Sequence, residues 1–245
     1  MASTPLVDRH EHGHGAPHGH RHPAHQFETM EQQKETSTLG MWLFLVTEIM
    51  FFGGLFTAYL VYRHMYPVAF AVASSTLDAT LGGTNTAVLI CSSLTMALAI
   101  RSAQVNQLKR IIPFIVLTML FGVTFLGIKY VEYANKFHEN HVPGPNFNLV
   151  LEDAHEAEAA AAADPLYQRH AEIFFSLYFI MTGIHATHMI VGLGILAVLI
   201  YFAKRRKFDA EYYNPLEMTG LYWHFVDIVW IFLFPLLYLL GAHTH

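Results

Sequence analysis

Hydrophobic residues in this chain are collected into long segments that alternate with shorter polar stretches. Five segments each reach the ~20 residues that a helix needs to cross the hydrocarbon core of a bilayer. They lack the alternation of barrel strands, and backbone groups in lipid must be hydrogen bonded internally, so each segment is expected to be a helix. The pattern predicts an all-α integral membrane bundle of five transmembrane helices. The predicted spans are residues 39–65, 82–104, 111–134, 171–203 and 218–241.

The overall composition agrees with a membrane protein. Charged residues make up 13% of the chain and hydrophobic residues 53%, whereas a soluble domain carries about 25% charged residues. The one cysteine, Cys91, lies inside the second predicted span, which excludes a disulfide within the chain. The N-terminal residues do not show the basic and then apolar pattern of a cleavable signal, so the first span is expected to direct insertion. No nucleic-acid partner is expected.

The positions of lysine and arginine predict the orientation of the bundle. Ten of the 14 lie in the N-terminal tail and in the second and fourth connecting segments, which face the same side of a five-span protein. The positive-inside rule places this side in the cytoplasm and the C-terminus outside. The four residues assigned to the outer side are Arg63, Lys129, Lys136 and Arg169.

The N-terminal tail, residues 1–37, is rich in histidine, glycine and proline and cannot bury enough apolar surface to fold. We expect it to be a disordered cytoplasmic segment. Imidazoles at this density bind transition metals weakly, but their spacing defines no closed site, so incidental metal affinity is favoured over a metal-delivery arm. The histidines that carry this weak possibility are His10, His12, His14, His18, His20, His22 and His25.

The longest connecting segment on the outer side runs from about residue 136 to residue 170. Its stretch LEDAHEAEAAAAADP combines strong helix formers with a proline stop, which predicts a short surface helix. Its acidic residues are expected to form a solvated face. The alternative is that they attract a basic soluble partner.

Ionisable residues at membrane depth are rare and are functional candidates by default. Glu48 lies about ten residues into the first span, roughly 15 Å from the cytoplasmic surface. His185 and His188 lie three residues apart, on one face of the fourth span and in its cytoplasmic half. The buried polar positions proposed for subunit or lipid contacts are Glu48, Glu132, His185, His188, His224 and Asp227.

These residues suit hydrogen bonding between helices better than metal binding. A di-iron bundle needs several carboxylates on facing helices, and haem needs a facing ligand with a large apolar pocket. Nothing in the spacing requires either, so no catalytic residue, metal or cofactor is expected in the chain. A buried carboxylate without a partner takes up a proton. Glu48 is therefore expected to be protonated or paired with His185 or His188.

Taken together, five stretches resemble successive helices of subunit III of the haem–copper oxygen reductases. The resemblance covers nearly all of residues 38–241 in unbroken order. A glutamate before FF, the H-x-x-H of the fourth span and W-H-F-V-D-x-V-W in the fifth are specific in combination. The stretches are GMWLFLVTEIMFFGGLFTAYL, NTAVLICSSLTMALA, GIKYVEY, FFSLYFIMTGIHATHMIVG and YWHFVDIVWIFLFPLLYL.

This resemblance implies a non-catalytic subunit of a respiratory terminal oxidase, an oxidoreductase and proton translocase. Such a subunit packs on the catalytic subunit I, binds phospholipid, and supports proton uptake and durability of the complex. Haem and copper are expected in partner subunits. Longer family members have two further helices before the glutamate-bearing span, and their absence here favours a bacterial inner-membrane protein of the five-span form.

The resemblance leaves the electron donor open. Cytochrome c is the first expectation, and a quinol oxidase or a homologue associated with nitric-oxide reductase is the alternative. A proton or metal-ion transporter is the alternative from another class, because membrane carboxylates and a histidine-rich tail suit it. The chain shows neither an internal repeat nor a pair of broken helices, which argues against a transporter.

Overall fold

The computed structural model describes residues 29–149, 151, 154–204 and 213–239 of the chain. Every regular element within these ranges is helical, as predicted. In chain order the elements are α1 (Met30–Met65), α2 (Pro67–Ser75), α3 (Ala79–Gln104), α4 (Leu108–His138), α5 (Ala154–Ala163), α6 (Tyr167–Lys204), α7 (Asn214–Phe234) and a π-helical turn (Pro235–Leu239).

Five helices are long and apolar enough to cross a membrane: α1, α3, α4, α6, and α7 together with its π-helical turn. The five-span prediction is therefore confirmed. The predicted ranges fall inside these helices, except that residues 240 and 241 lie outside the described part of the chain.

The chain divides into two compact units, with the boundary after residue 36. The described part of the first unit is the start of α1, where Thr29 Oγ1 accepts a hydrogen bond from the Gln32 backbone N–H at 3.1 Å. Residues 30–37, predicted to be disordered, are helical because Glu, Gln and Lys in MEQQKETS are good helix formers. The histidines of the tail lie outside the described residues.

Two short helices lie in the segments that connect the spans. The predicted surface helix is confirmed as α5, which ends at Ala163, two residues before Pro165. The sequence prediction missed α2, which starts at Pro67 directly after α1. Phe70 of α2 is fully buried and packs edge-to-face on Phe174 of α6, so tertiary packing stabilises this helix.

Tryptophans of α7 form the centre of the bundle, because this helix packs against both α3 and α6. Trp223 and Trp230 are both fully buried. Trp223 Nε1–H donates to Ser92 Oγ at 3.0 Å, and Trp230 Nε1–H donates to Thr86 Oγ1 at 3.1 Å. Each large indole therefore has a hydrogen-bond partner on α3, as buried tryptophans usually do.

The first helix packs through one narrow seam. Its buried apolar residues, Leu45, Phe52 and Tyr59, are spaced seven residues apart, which is the repeat of a coiled-coil contact. Only 11% of the most apolar window of α1 is buried, against 56% for α7. A Cβ added at Gly53 or Gly54 would meet nothing within 4 Å. Gly53 and Gly54 therefore make no close helix contact within the described part of the chain.

A polar junction joins the end of α4 to the end of α2. His141 is 3% exposed, and its Nδ1 lies 3.0 Å from Glu139 Oε2. The same oxygen accepts from Lys136 Nζ at 2.6 Å, and Lys136 also donates to the Thr76 carbonyl. Burial, and secondarily the Lys136 charge, lowers the pKa of His141 below its usual 6.5, although Glu139 opposes the shift.

We expect this junction to lose stability in acid. Because the folded-state pKa of His141 is depressed, its contribution is present above pH ~6.5 and is lost as the pH falls toward the folded-state pKa. The slope approaches about 1.4 kcal/mol per pH unit. Thermal unfolding in detergent between pH 7.5 and 5 should show a smaller decrease for His141→Gln than for the natural chain. His138→Gln, at an exposed position on the same helix, should leave the decrease unchanged; equal slopes for all three chains would refute the prediction.

Candidate functional site

Glu48 of α1 and His188 of α6 face each other where these two helices pack together. Glu48 Oε2 lies 3.3 Å from His188 Nε2, and the two side chains are 18% and 19% exposed. Phe52, one turn after Glu48, packs on the His188 ring and on Phe225 of α7. These aromatic contacts hold α1 close enough for the pair to form.

A hydrogen bond to the other ring nitrogen fixes the orientation of the His188 imidazole. His188 Nδ1 lies 3.0 Å from the Ile184 carbonyl, which can only accept, so Nδ1 carries a hydrogen. In a neutral ring Nε2 is then an acceptor, next to a carboxyl group. The Ile184 carbonyl therefore fixes the ring so that Nε2 is the nitrogen that faces Glu48.

An open groove of about 430 Å³ lies beside this pair, between α1, α6 and the start of α7. Its volume falls within the roughly 300–1,000 Å³ of small-molecule sites. Apolar atoms form nearly all of its surface. The lining residues are Met41, Phe44, Thr187, His188, Val191, Ile195, Met218, Thr219 and Tyr222.

His185, the other histidine of the fourth span, does not reach Glu48. It is 1% exposed, and its ring packs on Phe125 of α4 and Trp230 of α7. Neither ring nitrogen has a hydrogen-bond partner among the described residues. Of the two histidines that could pair with Glu48, the structure brings only His188 to it, because His185 lies one turn away on the side facing α4 and α7.

Glu132 belongs to a second polar cluster, buried between α4, α6 and the π-helical turn. Glu132 Oε2 accepts from Lys129 Nζ at 2.9 Å, and both residues are at most 5% exposed. Tyr178 and Tyr238 both donate to Glu132 Oε1. Lys129 Nζ also donates to the Tyr238 hydroxyl at 2.7 Å and lies 4.8 Å from the centre of the Trp230 ring.

The sequence prediction placed Lys129 on the outer side as an orientation charge and missed this role. Its spacing from Glu132, i and i+3 within one apolar helix, was the available signal, because such residues lie on one face. Tyr178 and Tyr238 carried no such signal, since their hydroxyls come from helices distant in sequence.

The third polar site lies between α3 and α7. His224 Nδ1 is 2.6 Å from the Ser93 hydroxyl, and the buried Asp227 carboxyl lies beside the same hydroxyl. Ser93 therefore lies beside both His224 and Asp227, which share one face of α7. Five of the six predicted residues are thus divided among three separate sites, and the sixth, His185, is packed between aromatic rings. The proposed contacts of all six with lipid or other subunits remain predictions.

Histidines of α6 do not make an open ligand set for haem or copper. His188 uses Nδ1 on a backbone carbonyl and directs Nε2 at Glu48, while aromatic rings pack on His185. The fold and these contacts define an all-α membrane protein of five spans, whose ionisable residues are held between helices.

Comparisons with known proteins show similarity to terminal oxidase subunits. Residues 161–242 match the family model described as Cytochrome c oxidase subunit III. The chain is 27% identical over 215 residues to Quinol oxidase subunit 3 of Bacillus subtilis (strain 168), covering 86% of this chain and 92% of that protein. It is 26% identical over 220 residues to Probable quinol oxidase subunit 3 of Staphylococcus saprophyticus, covering 90% and 96%. The chain is therefore similar to subunit III of the haem–copper oxidases, over most of its length in the relatives and over residues 161–242 in the family model.

Proposed function

We propose that this chain is the non-catalytic subunit III of a terminal oxidase that takes electrons from quinol. The observation that carries the proposal is the pair of relatives named as quinol oxidase subunits, each matched over at least 86% of this chain. These names favour the quinol alternative over cytochrome c, the first expectation from the sequence. The family model bears the cytochrome c name, but it matches only residues 161–242.

The donor is tested on the complex purified from membranes in mild detergent. Oxygen consumption should be supported by a reduced quinol and not by reduced cytochrome c. An absorption spectrum of the same sample should show haem that co-purifies with this chain. Turnover with cytochrome c alone would restore the first expectation, and absence of any haem protein would refute the oxidase assignment.

The partners follow from the same proposal. Subunit I is expected to carry the haem and copper and to pack against this chain, with phospholipid filling the remaining contacts. Because α1 is the least buried of the five spans, its outer face supplies apolar surface for such neighbours. We place the protein in a bacterial inner membrane with the N-terminus in the cytoplasm, on the basis of the lysine and arginine positions.

Glu48 is expected to support the complex rather than to perform its chemistry. Glu48→Ala should leave the haem spectrum of the purified complex unchanged and the initial rate of oxygen consumption within about twofold, an effect of well under 1 kcal/mol. Activity should then decline faster during turnover, or proton uptake should slow, because His188 loses its partner. Repeated turnover assays and stopped-flow proton uptake provide the measurement.

The matched control is Met50→Ala, at a position two residues away that is 74% exposed. It should behave like the natural chain in every assay. Loss of the haem spectrum in Glu48→Ala would show that this residue has a different role from the one proposed.

A further inference from the structure

His224 lies close to the middle of its membrane span. It is within three residues of the centre of the span Asn214–Leu239, and its partner Ser93 is within two residues of the centre of the span Ala79–Gln104. At a rise of about 1.5 Å per residue, both residues lie within about 4 Å of the midpoints of their helices. The edges of the hydrocarbon core are about 15 Å from the middle of a bilayer, so lipid head groups do not reach this depth.

Only one edge of the His224 ring has a hydrogen-bond partner. Nδ1 lies 2.6 Å from Ser93 Oγ, which fixes how the ring is turned. The side chain is partly exposed, and Nε2 at the opposite edge reaches the surface without a hydrogen bond to any described residue. A polar group that faces hydrocarbon without a partner is unfavourable. The ring therefore presents one open hydrogen-bonding position at the middle of the membrane.

The surface around this position is apolar. On α7, Ile228 follows His224 by four residues and is 51% exposed. On α3, Ile90 and Ala97 lie three residues before and four residues after Ser93, and both are exposed. Residues at these spacings share one face of a helix. Two apolar stripes thus meet at the Ser93–His224 contact, which is the polar point of the surface.

The hydrogen bond to Ser93 defines what can satisfy Nε2. A serine hydroxyl can donate or accept, so the contact is compatible with either neutral tautomer of His224, and Nε2 is a donor in one and an acceptor in the other. A hydroxyl or carboxamide group satisfies both tautomers, whereas an acyl chain satisfies neither. Such groups are carried at this depth by the serine, threonine, asparagine and glutamine side chains that hydrogen bond between membrane helices.

We propose that this surface, the His224 face (Ile90, Ser93, Ala97, His224 and Ile228), docks a membrane-spanning helix of another subunit. The docked helix is apolar and places one serine, threonine, asparagine or glutamine at its middle, where that side chain hydrogen bonds to His224 Nε2. The residues of the His224 face belong to α3 and α7, so it is separate from the outer face of α1. Only the identity of the neighbour as an oxidase subunit rests on the proposed function.

Photo-cross-linking in native membranes tests the docking. A photoreactive phenylalanine derivative replaces Ile228, and the cross-linked peptides are identified by mass spectrometry after illumination and purification. The expected product joins this chain to a different subunit, within about one helical turn of a hydroxyl or carboxamide residue in the middle of a span. A phospholipid adduct alone, a cross-link between two copies of this chain, or a helix without such a residue would overturn the proposal.

The contribution of the ring nitrogen is measured on the purified complex in mild detergent. His224→Phe keeps a ring but removes its hydrogen bonds, and dissociation of this chain should become about threefold faster, equivalent to the ~0.6 kcal/mol average for hydrogen bonds between membrane helices. His224→Gln retains a donor and an acceptor and should stay close to the natural rate. Equal acceleration by both variants would place the effect inside this chain and overturn the proposal.

The matched control is Thr124→Val, which removes a hydroxyl from the exposed face of α4. Thr124 donates to the Leu120 carbonyl of its own helix, so the dissociation rate should not change. The haem spectrum is recorded on the same samples. A complex that contains haem but gives no cross-link from residue 228 refutes only the docking surface. A cross-linked partner in a preparation without haem supports the docking surface and refutes the proposed function.

Discussion

Replacing Glu132 by glutamine should lower the free energy of unfolding of this chain by about 3–5 kcal/mol, because it leaves the Lys129 ammonium without its buried counter-charge. Glutamine keeps the size of the side chain and still accepts from Tyr178 and Tyr238, so the change isolates the charge. Tyrosine hydroxyls and the Trp230 ring remain around Lys129, but none of them is an anion. Unfolding in mixed SDS–detergent micelles measures the difference.

The double variant Lys129→Met, Glu132→Gln serves as the internal control. It removes both charges and should recover most of the lost stability, because replacing a buried ion pair by neutral groups is often close to neutral. Glu139→Gln provides a matched single change at a partly exposed ion pair, where Glu139 is 45% exposed, and should cost about 1 kcal/mol or less. A Glu132→Gln effect no larger than that of Glu139→Gln would contradict the account.

Gly192→Val should separate α6 from α7 at the centre of the bundle. A Cβ at Gly192 would lie 2.9 Å from a ring carbon of Trp223 and 3.2 Å from one of Tyr222. The Trp223 indole is fully buried and hydrogen bonded to Ser92, so it cannot move aside. Overpacking of this kind costs about 1–3 kcal/mol. The change should appear both as a lower unfolding temperature and as altered tryptophan fluorescence.

Gly194→Val, two residues along the same helix, is the matched control. A Cβ at Gly194 would meet nothing within 4 Å, so stability should stay within about 0.5 kcal/mol of the natural chain. Equal destabilisation by both valines would indicate a helix-propensity effect instead of a clash with Trp223. Of these two glycines, only Gly192 is a position of close helix approach.

Much of the fold was predictable because a bilayer offers the backbone no hydrogen-bond partners, so each span must satisfy its own. Long apolar segments can only be helices in lipid, which identified all five spans. Helix α2 was missed because its nine residues merge with the end of α1 in any hydropathy pattern, and its stability depends on Phe70 packing against Phe174, a contact between residues distant in the chain.

The polar sites were only half predictable for a related reason. Spacing along one helix shows which residues share a face, and so it grouped His185 with His188 as candidate partners of Glu48. It does not show which neighbouring helix that face meets. His185 and His188 are three residues apart, yet one packs between Phe125 and Trp230 and the other meets Glu48. Ser93, Tyr178 and Tyr238 became visible only once the helices were assembled.

The cluster around Lys129 also constrains the order in which the protein matures. Tyr238 follows Lys129 by 109 residues, so the ribosome completes α4 long before this hydroxyl exists. A lysine that enters the bilayer interior without its partners is costly. During synthesis the C-terminal end of α4 therefore has to keep its ammonium hydrated, near the interface or against the insertion machinery. Lys129 is shielded from water only after α7 and its π-helical turn have been inserted. Its burial is therefore a late event in biogenesis.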